Sequence, residues 1–75
     1  MTTQDKKNLV RRVRAEVMRT VMVFPDNKTR GLDQAFGFVM GVLYVNQDDT
    51  ELCDLIQEMW AKAKKDINNN NFRKY

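Results

Sequence analysis

The chain contains no histidine, one cysteine, one proline and three glycines among its 75 residues. Without histidine, no Ser-His-Asp or Cys-His catalytic arrangement can form. A single cysteine supplies too few nitrogen and sulfur ligands for a zinc site, and it cannot close a disulfide within the chain. The glycines at 31, 37 and 41 match neither the Walker spacing nor the dinucleotide-binding spacing. We therefore expect a protein with no catalytic residues, no metal and no cofactor, and not an enzyme.

Long hydrophobic runs are also missing. The apolar stretch over residues 32–45 is shorter than the about 20 residues that a membrane-spanning helix needs. The first residues, M-T-T-Q-D-K-K, have none of the apolar character of a signal peptide. Acidic residues at 48, 49 and 51 lack the twelve-residue pattern of a calcium loop, and a helix cap explains them better. These features predict a cytoplasmic protein that does not contact a membrane.

The charges that are present are distributed unevenly. Thirteen Lys and Arg residues against ten Asp and Glu residues give a net charge of +3. Six of the cations lie in residues 1–24, where only Asp5 and Glu16 oppose them, whereas residues 25–50 lean acidic. Such asymmetry indicates a positive patch that faces an acidic partner, a neighbouring subunit or a phosphate backbone.

The first segment has the apolar spacing of an amphipathic helix, from about Gln4 to Phe24. Thr2 or Thr3 is a suitable N-cap, and Pro25 forces the residue before it out of the helical region. The apolar positions on one side of this helix are Leu9, Val10, Val13, Val17, Thr20, Val21 and Phe24.

The second segment carries eleven residues, 35–45, without a strongly polar side chain. Thr29 is a candidate cap for a helix here, and a helix that is apolar on all sides has to be buried on all sides. The Val, Phe and Tyr content leaves a buried strand as the alternative. As a helix, the segment has one apolar face at Leu32, Phe36, Val39 and Leu43 and another at Phe38, Val42 and Val45, separated by a strip at Asp33, Gly37, Gly41 and Tyr44.

The third segment, from Glu51 to Ile67, is the clearest amphipathic helix, with Cys53 and Trp60 expected in its core contacts. The predicted fold class is therefore all-α: a small three-helix domain over residues 1–67, in which a central apolar helix is flanked by two amphipathic helices. The alternative is an α+β fold in which residues 35–45 form a buried strand. The Asn-rich tail over residues 68–75 is expected to be flexible.

Self-association is the next expectation. In a monomer, the outer helices would sandwich the second helix and leave Met18, Met22 and Met40 without cover. A homo-oligomer in which the second helices pack across a symmetry axis covers more apolar surface, because glycines allow close approach. The predicted self-association residues are Phe36, Gly37, Met40, Gly41 and Tyr44.

The basic side of the first helix is the main candidate for function. Lys7, Arg11 and Arg14 follow the i, i+4, i+7 spacing that places three cations along one stripe, although an ordinary solvated helix face has the same pattern. Met18 and Met22 continue this stripe, and both Met and Arg suit adaptable binding surfaces. The other candidate partner-binding or phosphate-binding residues are Arg19, on a separate flank, and Lys28 and Arg30, at the start of the second helix.

From this stripe we predict a small non-catalytic interaction or regulatory protein, of the inhibitor or adaptor type, that binds a larger protein. The alternative is a nucleic-acid or nucleotide-phosphate binder that uses the same residues. The modest net charge and the lack of a recognised nucleic-acid-binding signature place the protein partner first. Small size without catalytic residues is also typical of the regulatory proteins that phages and mobile elements encode.

Overall fold

The computed structural model describes residues 1–69, which form three α-helices: α1 (Thr3–Met22), α2 (Lys28–Val45) and α3 (Thr50–Asn68). Every helix packs against both of the others. Ion pairs join the first turns of α1 and α3, so these two helices run in the same direction while α2 runs back between their ends. The predicted all-α three-helix domain is confirmed. The predicted flexible tail lies mostly outside the described residues.

The alternative of a buried strand over residues 35–45 is wrong, because this segment is the second half of α2. A strand needs a neighbouring strand to pair its backbone N–H and C=O groups, and residues 1–69 contain no other extended segment that offers one. A helix satisfies the same groups internally. None of the helices in this part of the chain has both the length and the hydropathy needed to cross a bilayer.

Side-chain caps set the beginnings of the helices. Thr2 and Asp5 form a capping box, in which each backbone N–H donates to the other residue's side-chain oxygen at 3.1 Å. Asn27 caps α2 by accepting the N–H of Arg30 at 3.1 Å, so the expectation of Thr29 as the cap is wrong by two residues. Asparagine is the stronger cap of the two residue types, and it leaves the threonine inside the first turn.

The core lies where the three helices meet. One glycine, Gly31, belongs to the buried set: a Cβ added there would lie 3.1 Å from the Cα of Val21, so α1 and α2 approach each other closely at this point. The buried apolar side chains are Val13, Val17, Val21, Ala35, Val39, Leu52, Ile56, Met59, Ala63 and Ile67.

Within one chain, α2 is covered on its inner side only, so the other two helices do not supply the burial on all sides that its sequence predicts. Because α1 and α3 also pack against each other, they cover adjacent sides of α2 and leave its outer side to solvent. The exposed fractions are 48% for Phe36, 41% for Phe38, 48% for Met40, 73% for Tyr44 and 80% for Val45.

Two of the methionines behave differently from each other. Met18 is half-buried against the core, so the expectation that it lacks cover is wrong. Met18 packs against the core between the helices. The sequence alone does not show which side of α1 the other helices cover, so this contact could not be predicted. Met22 is 61% exposed, in agreement with the expectation.

Candidate functional site

The cations of α1 divide into those that are already paired within the chain and those that are not. Arg14 and Arg19, both candidate binding residues, belong to the paired group, and so does Lys6. The ion pairs are Lys6 Nζ to Asp49 Oδ1 at 3.0 Å and to Glu51 Oε1 at 3.4 Å, Arg14 Nη2 to Asp66 Oδ2 at 2.9 Å, and Arg19 Nη1 to Glu16 Oε1 at 2.8 Å.

Arg12 is exposed, forms no ion pair within the described chain and lies on the side of α1 that faces α2. Lys7 and Arg11 are also exposed and form no ion pair with any other residue of the described chain. They lie on one side of α1, and the exposed Met22 lies on the same side, about 22 Å from Lys7 along the helix axis. We name Lys7, Arg11 and Met22 the α1 basic face. Arg14 and Met18 interrupt the predicted stripe, because the first is bonded to α3 and the second packs into the core.

The two cations at the start of α2 lie near the Met22 end of α1, away from Lys7 and Arg11. Arg30 lies over the ring of Phe24, with 5.0 Å from Cζ to the ring centroid, and Lys28 is half-buried. Phe24 follows the end of α1, whereas Lys7 lies near its beginning. The predicted phosphate-binding residues are therefore spread along the length of the bundle.

An open apolar groove of about 580 Å³ lies between α1 and α2. Gly37 and Gly41 form part of its α2 wall, and a Cβ added to either glycine would have no atom within 4 Å. Arg12 and Glu16 are its ionisable lining residues, and the apolar lining is Leu9, Val13, Phe38, Val42 and Val45. Sequence reasoning missed this groove, although the i, i+4 pair of glycines marks its α2 side.

The outer side of α2 continues from this groove. Phe36, Met40 and Tyr44 are exposed along it, and with the exposed glycines at 37 and 41 they are the five residues predicted for self-association. The structure brings these five residues together on one surface, which we name the α2 outer face. The ring of Phe36 lies 5.9 Å from that of Trp60, between centroids, so Trp60 borders this surface.

The acidic residues between α2 and α3 have a structural explanation. The backbone N–H of Leu52 and the ammonium of Lys6 both donate to Asp49, and they lower the pKa of its carboxyl group. The bond to Asp49 in turn raises the pKa of Lys6. Across residues 1–69, no three potential metal ligands of the His, Cys, Asp or Glu type cluster together.

The only cysteine contributes to packing. The Cys53 thiol is half-buried and lies 3.2 Å from the backbone oxygen of Asn46, to which it can donate. Trp60 is half-buried against the core, with the Lys64 ammonium 5.7 Å from its ring centroid. The sequence predicts core contacts for both residues; Trp60 makes them, whereas Cys53 lies against the connection between α2 and α3.

Two exposed surfaces differ in character from the rest of the described chain. The α1 basic face carries cations with an exposed methionine, and the α2 outer face carries apolar side chains beside an apolar groove. Comparisons of this chain with protein-family models, with curated proteins and with solved structures found no match.

Proposed function

We propose that this chain is a small non-catalytic interaction protein, of the inhibitor or adaptor type, that binds an acidic surface of a larger protein through the α1 basic face. The observation that carries the proposal is that Lys7 and Arg11 are exposed and unpaired within residues 1–69, while Lys6, Arg14 and Arg19 are engaged in ion pairs. Two of the engaged cations, Lys6 and Arg14, join α1 to α3. Those left over are available to a partner.

The composition of the α1 basic face favours a protein partner. Side chains at i and i+4 of a helix lie about 6 Å apart, so Lys7 and Arg11 present two adjacent cations to the carboxylates of a partner. Complementary charges of this kind speed association and fix the orientation of the complex. Met22 adds an adaptable apolar contact at the far end of the same side of α1.

A nucleic-acid partner is the weaker proposal. With Arg14 bonded to Asp66, the row of three cations that was predicted to follow a phosphate backbone is reduced to two. Each neutralised phosphate changes the logarithm of affinity by about 0.9 per tenfold change in salt, so two contacts give weak binding. The net charge of +3 adds little long-range attraction.

Affinity capture from the source organism tests the protein partner. The immobilised chain is compared with Lys7→Glu and Arg11→Glu, made separately, and captured proteins are quantified by mass spectrometry. Lys65→Glu is the matched control, because it makes the same charge change at an exposed position of α3. We expect each α1 variant to lose most of a specific captured protein while the control retains it. Equal capture by all three variants would remove the α1 basic face from the proposal.

Binding to random-sequence DNA and RNA over a salt series tests the alternative. We expect no measurable affinity at 150 mM salt. Submicromolar binding that weakens steeply with salt, and that Arg11→Glu reduces while Lys65→Glu does not, would replace the protein partner with a nucleic acid. Far-UV circular dichroism of every variant confirms that the helices are intact.

A further inference from the structure

The α2 outer face is too apolar to be an ordinary solvated surface. No Asp, Glu, Lys or Arg occurs between Asp33 and Asp48, a span that covers the last three turns of α2. Three large side chains, Phe36, Met40 and Tyr44, are exposed there, and two more, Phe38 and Val45, continue the surface towards the groove. Contiguous exposed apolar patches of more than a few hundred Å² are rare on monomers and mark interaction sites.

We propose that a second copy of this chain covers the α2 outer face, forming a symmetric dimer in which two α2 helices pack antiparallel. If a fully exposed large apolar side chain presents about 200 Å², the exposed fractions of the five side chains together present roughly 600 Å² on each protomer. Two such surfaces bury about 1,200 Å² in total, which is the lower limit for a specific and stable interface. Because Phe36 and Phe38 lie on opposite flanks of α2, only complete cover of both flanks reaches this limit, so we expect a weak, reversible dimer.

The shape of the face is complementary to itself. Gly37 and Gly41 leave a depression on α2, and Tyr44, one turn from Gly41, projects from the same side. A two-fold axis between Met40 and Gly41 places position 44 of one chain opposite position 37 of the other. Each Tyr44 ring then lies over the depression of its partner, and the contact occurs twice, as an isologous interface requires.

The charges of the groove beside the face offer little to a strongly charged macromolecule. The groove beside it has one cation, Arg12, and one carboxylate, Glu16, among its lining residues, so its charges balance. A strongly acidic or basic partner gains no complementary charge at this surface.

The oligomeric state tests the proposal directly. We expect light scattering to give twice the chain mass of 8.9 kDa at high concentration, with reversible dissociation on dilution. Tyr44→Glu places two carboxylates in the interface, so we expect it to raise the dimer dissociation constant at least 100-fold. Ala61→Glu introduces the same charge at an exposed position of α3 and should leave the dissociation constant within a factor of two.

The glycine variants provide a second test, because they should stabilise the folded monomer and weaken the dimer. Gly37→Ala and Gly41→Ala add methyl groups that meet no atom of their own chain, and alanine is the better helix former. We expect these variants to raise the unfolding midpoint of the monomer at low concentration and to weaken the dimer at least tenfold. A loss of folding does not explain this combination.

Two outcomes would overturn the dimer. One is a monomer mass at every concentration up to 1 mM, and the other is a dimer that Tyr44→Glu and Gly41→Ala leave unchanged. The dimer is independent of the proposed partner, because Arg11→Glu changes the α1 basic face and should leave the dissociation constant of the dimer unaltered. Its failure would therefore not remove the proposed function.

Discussion

The guanidinium of Arg14 donates to the carboxylate of Asp66, which joins α1 to α3 across 52 positions of sequence at 2.9 Å. The two side chains are 37% and 32% exposed, so solvent screens the pair, and we expect it to contribute less than about 1 kcal/mol to the free energy of unfolding. A double-mutant cycle with Arg14→Gln and Asp66→Asn, followed by urea unfolding, measures the coupling.

This coupling should also decrease at 1 M salt, where the screening length falls to about 3 Å. The same Arg14→Gln variant bears on the proposed function. Because this guanidinium is engaged within the chain, its removal should change partner capture by less than a factor of two, whereas Arg11→Glu should remove most of it. A large loss of capture in Arg14→Gln, with the helices intact, would extend the binding surface onto the border with α3.

Glycines at different places on α2 should respond oppositely to alanine. At Gly31 the new Cβ would lie 3.1 Å from the Cα of Val21 and 3.4 Å from its backbone oxygen, so α1 and α2 have to separate. Overpacking of this kind costs about 1–3 kcal/mol, which exceeds the up to about 1 kcal/mol gained in helix propensity. We expect Gly31→Ala to lower the free energy of unfolding.

Gly41→Ala is the matched control, because nothing lies within 4 Å of its added Cβ. Only the gain in propensity remains there, so the monomer should be stabilised by up to about 1 kcal/mol. Urea unfolding at micromolar concentration, below the range of self-association, compares the two variants. A stabilised Gly31→Ala would contradict the close approach of the helices.

The helices and their beginnings were largely predictable from the sequence, because helical periodicity and caps are local signals. Thr2 with Asp5 and the stop at Pro25 are examples. The sequence does not show which sides of a helix the other helices cover. The exposure of Phe38 follows from the contact between α1 and α3, which depends on residues far apart in the chain.

The candidate site was predictable to the same extent. The spacing of Lys7 and Arg11 on one side of α1 is a local property, and both side chains are exposed. The engagement of Arg14 is not local, because its partner Asp66 lies on α3. The groove beside Gly41 likewise appears only when α1 is placed against α2.

The core should be sensitive to the loss of single methyl groups. Ile56 is fully buried on α3, so Ile56→Val is expected to cost about 0.5–1.5 kcal/mol and Ile56→Ala about 2–5 kcal/mol, through lost burial and a residual cavity. Gln57→Ala, at the neighbouring exposed position, should change the free energy of unfolding by less than about 0.5 kcal/mol. Urea unfolding of the three variants checks this order, and equal effects at 56 and 57 would place the core elsewhere.

Stability should fall on both sides of a plateau around neutral pH, because Asp49 and Lys6 hold the ends of α1 and α3 together. The pKa of Asp49 is lowered from 3.8, chiefly by the N–H of Leu52 and then by Lys6, so its contribution is present above pH 3.8 and is lost as the pH falls through the lowered value. The pKa of Lys6 is raised from 10.5, chiefly by its bond to Asp49, so its contribution is present below pH 10.5 and is lost as the pH rises through the raised value.

Urea midpoints measured from pH 2 to pH 12 test both limbs, with two variants of Asp49 to separate its roles. Asp49→Asn keeps an oxygen that can accept the N–H of Leu52 but removes the charge, so it should reduce the dependence of stability on pH in both the acidic and the alkaline range. Asp49→Ala removes the cap as well and should be less stable than Asp49→Asn at every pH. In both variants, part of the decrease in stability at acidic pH should remain, because the pKa of Asp5 is also lowered, chiefly by the backbone N–H of Thr2. An Asp49→Asn profile that is parallel to that of the unmodified chain would show that this ion pair does not couple folding to pH.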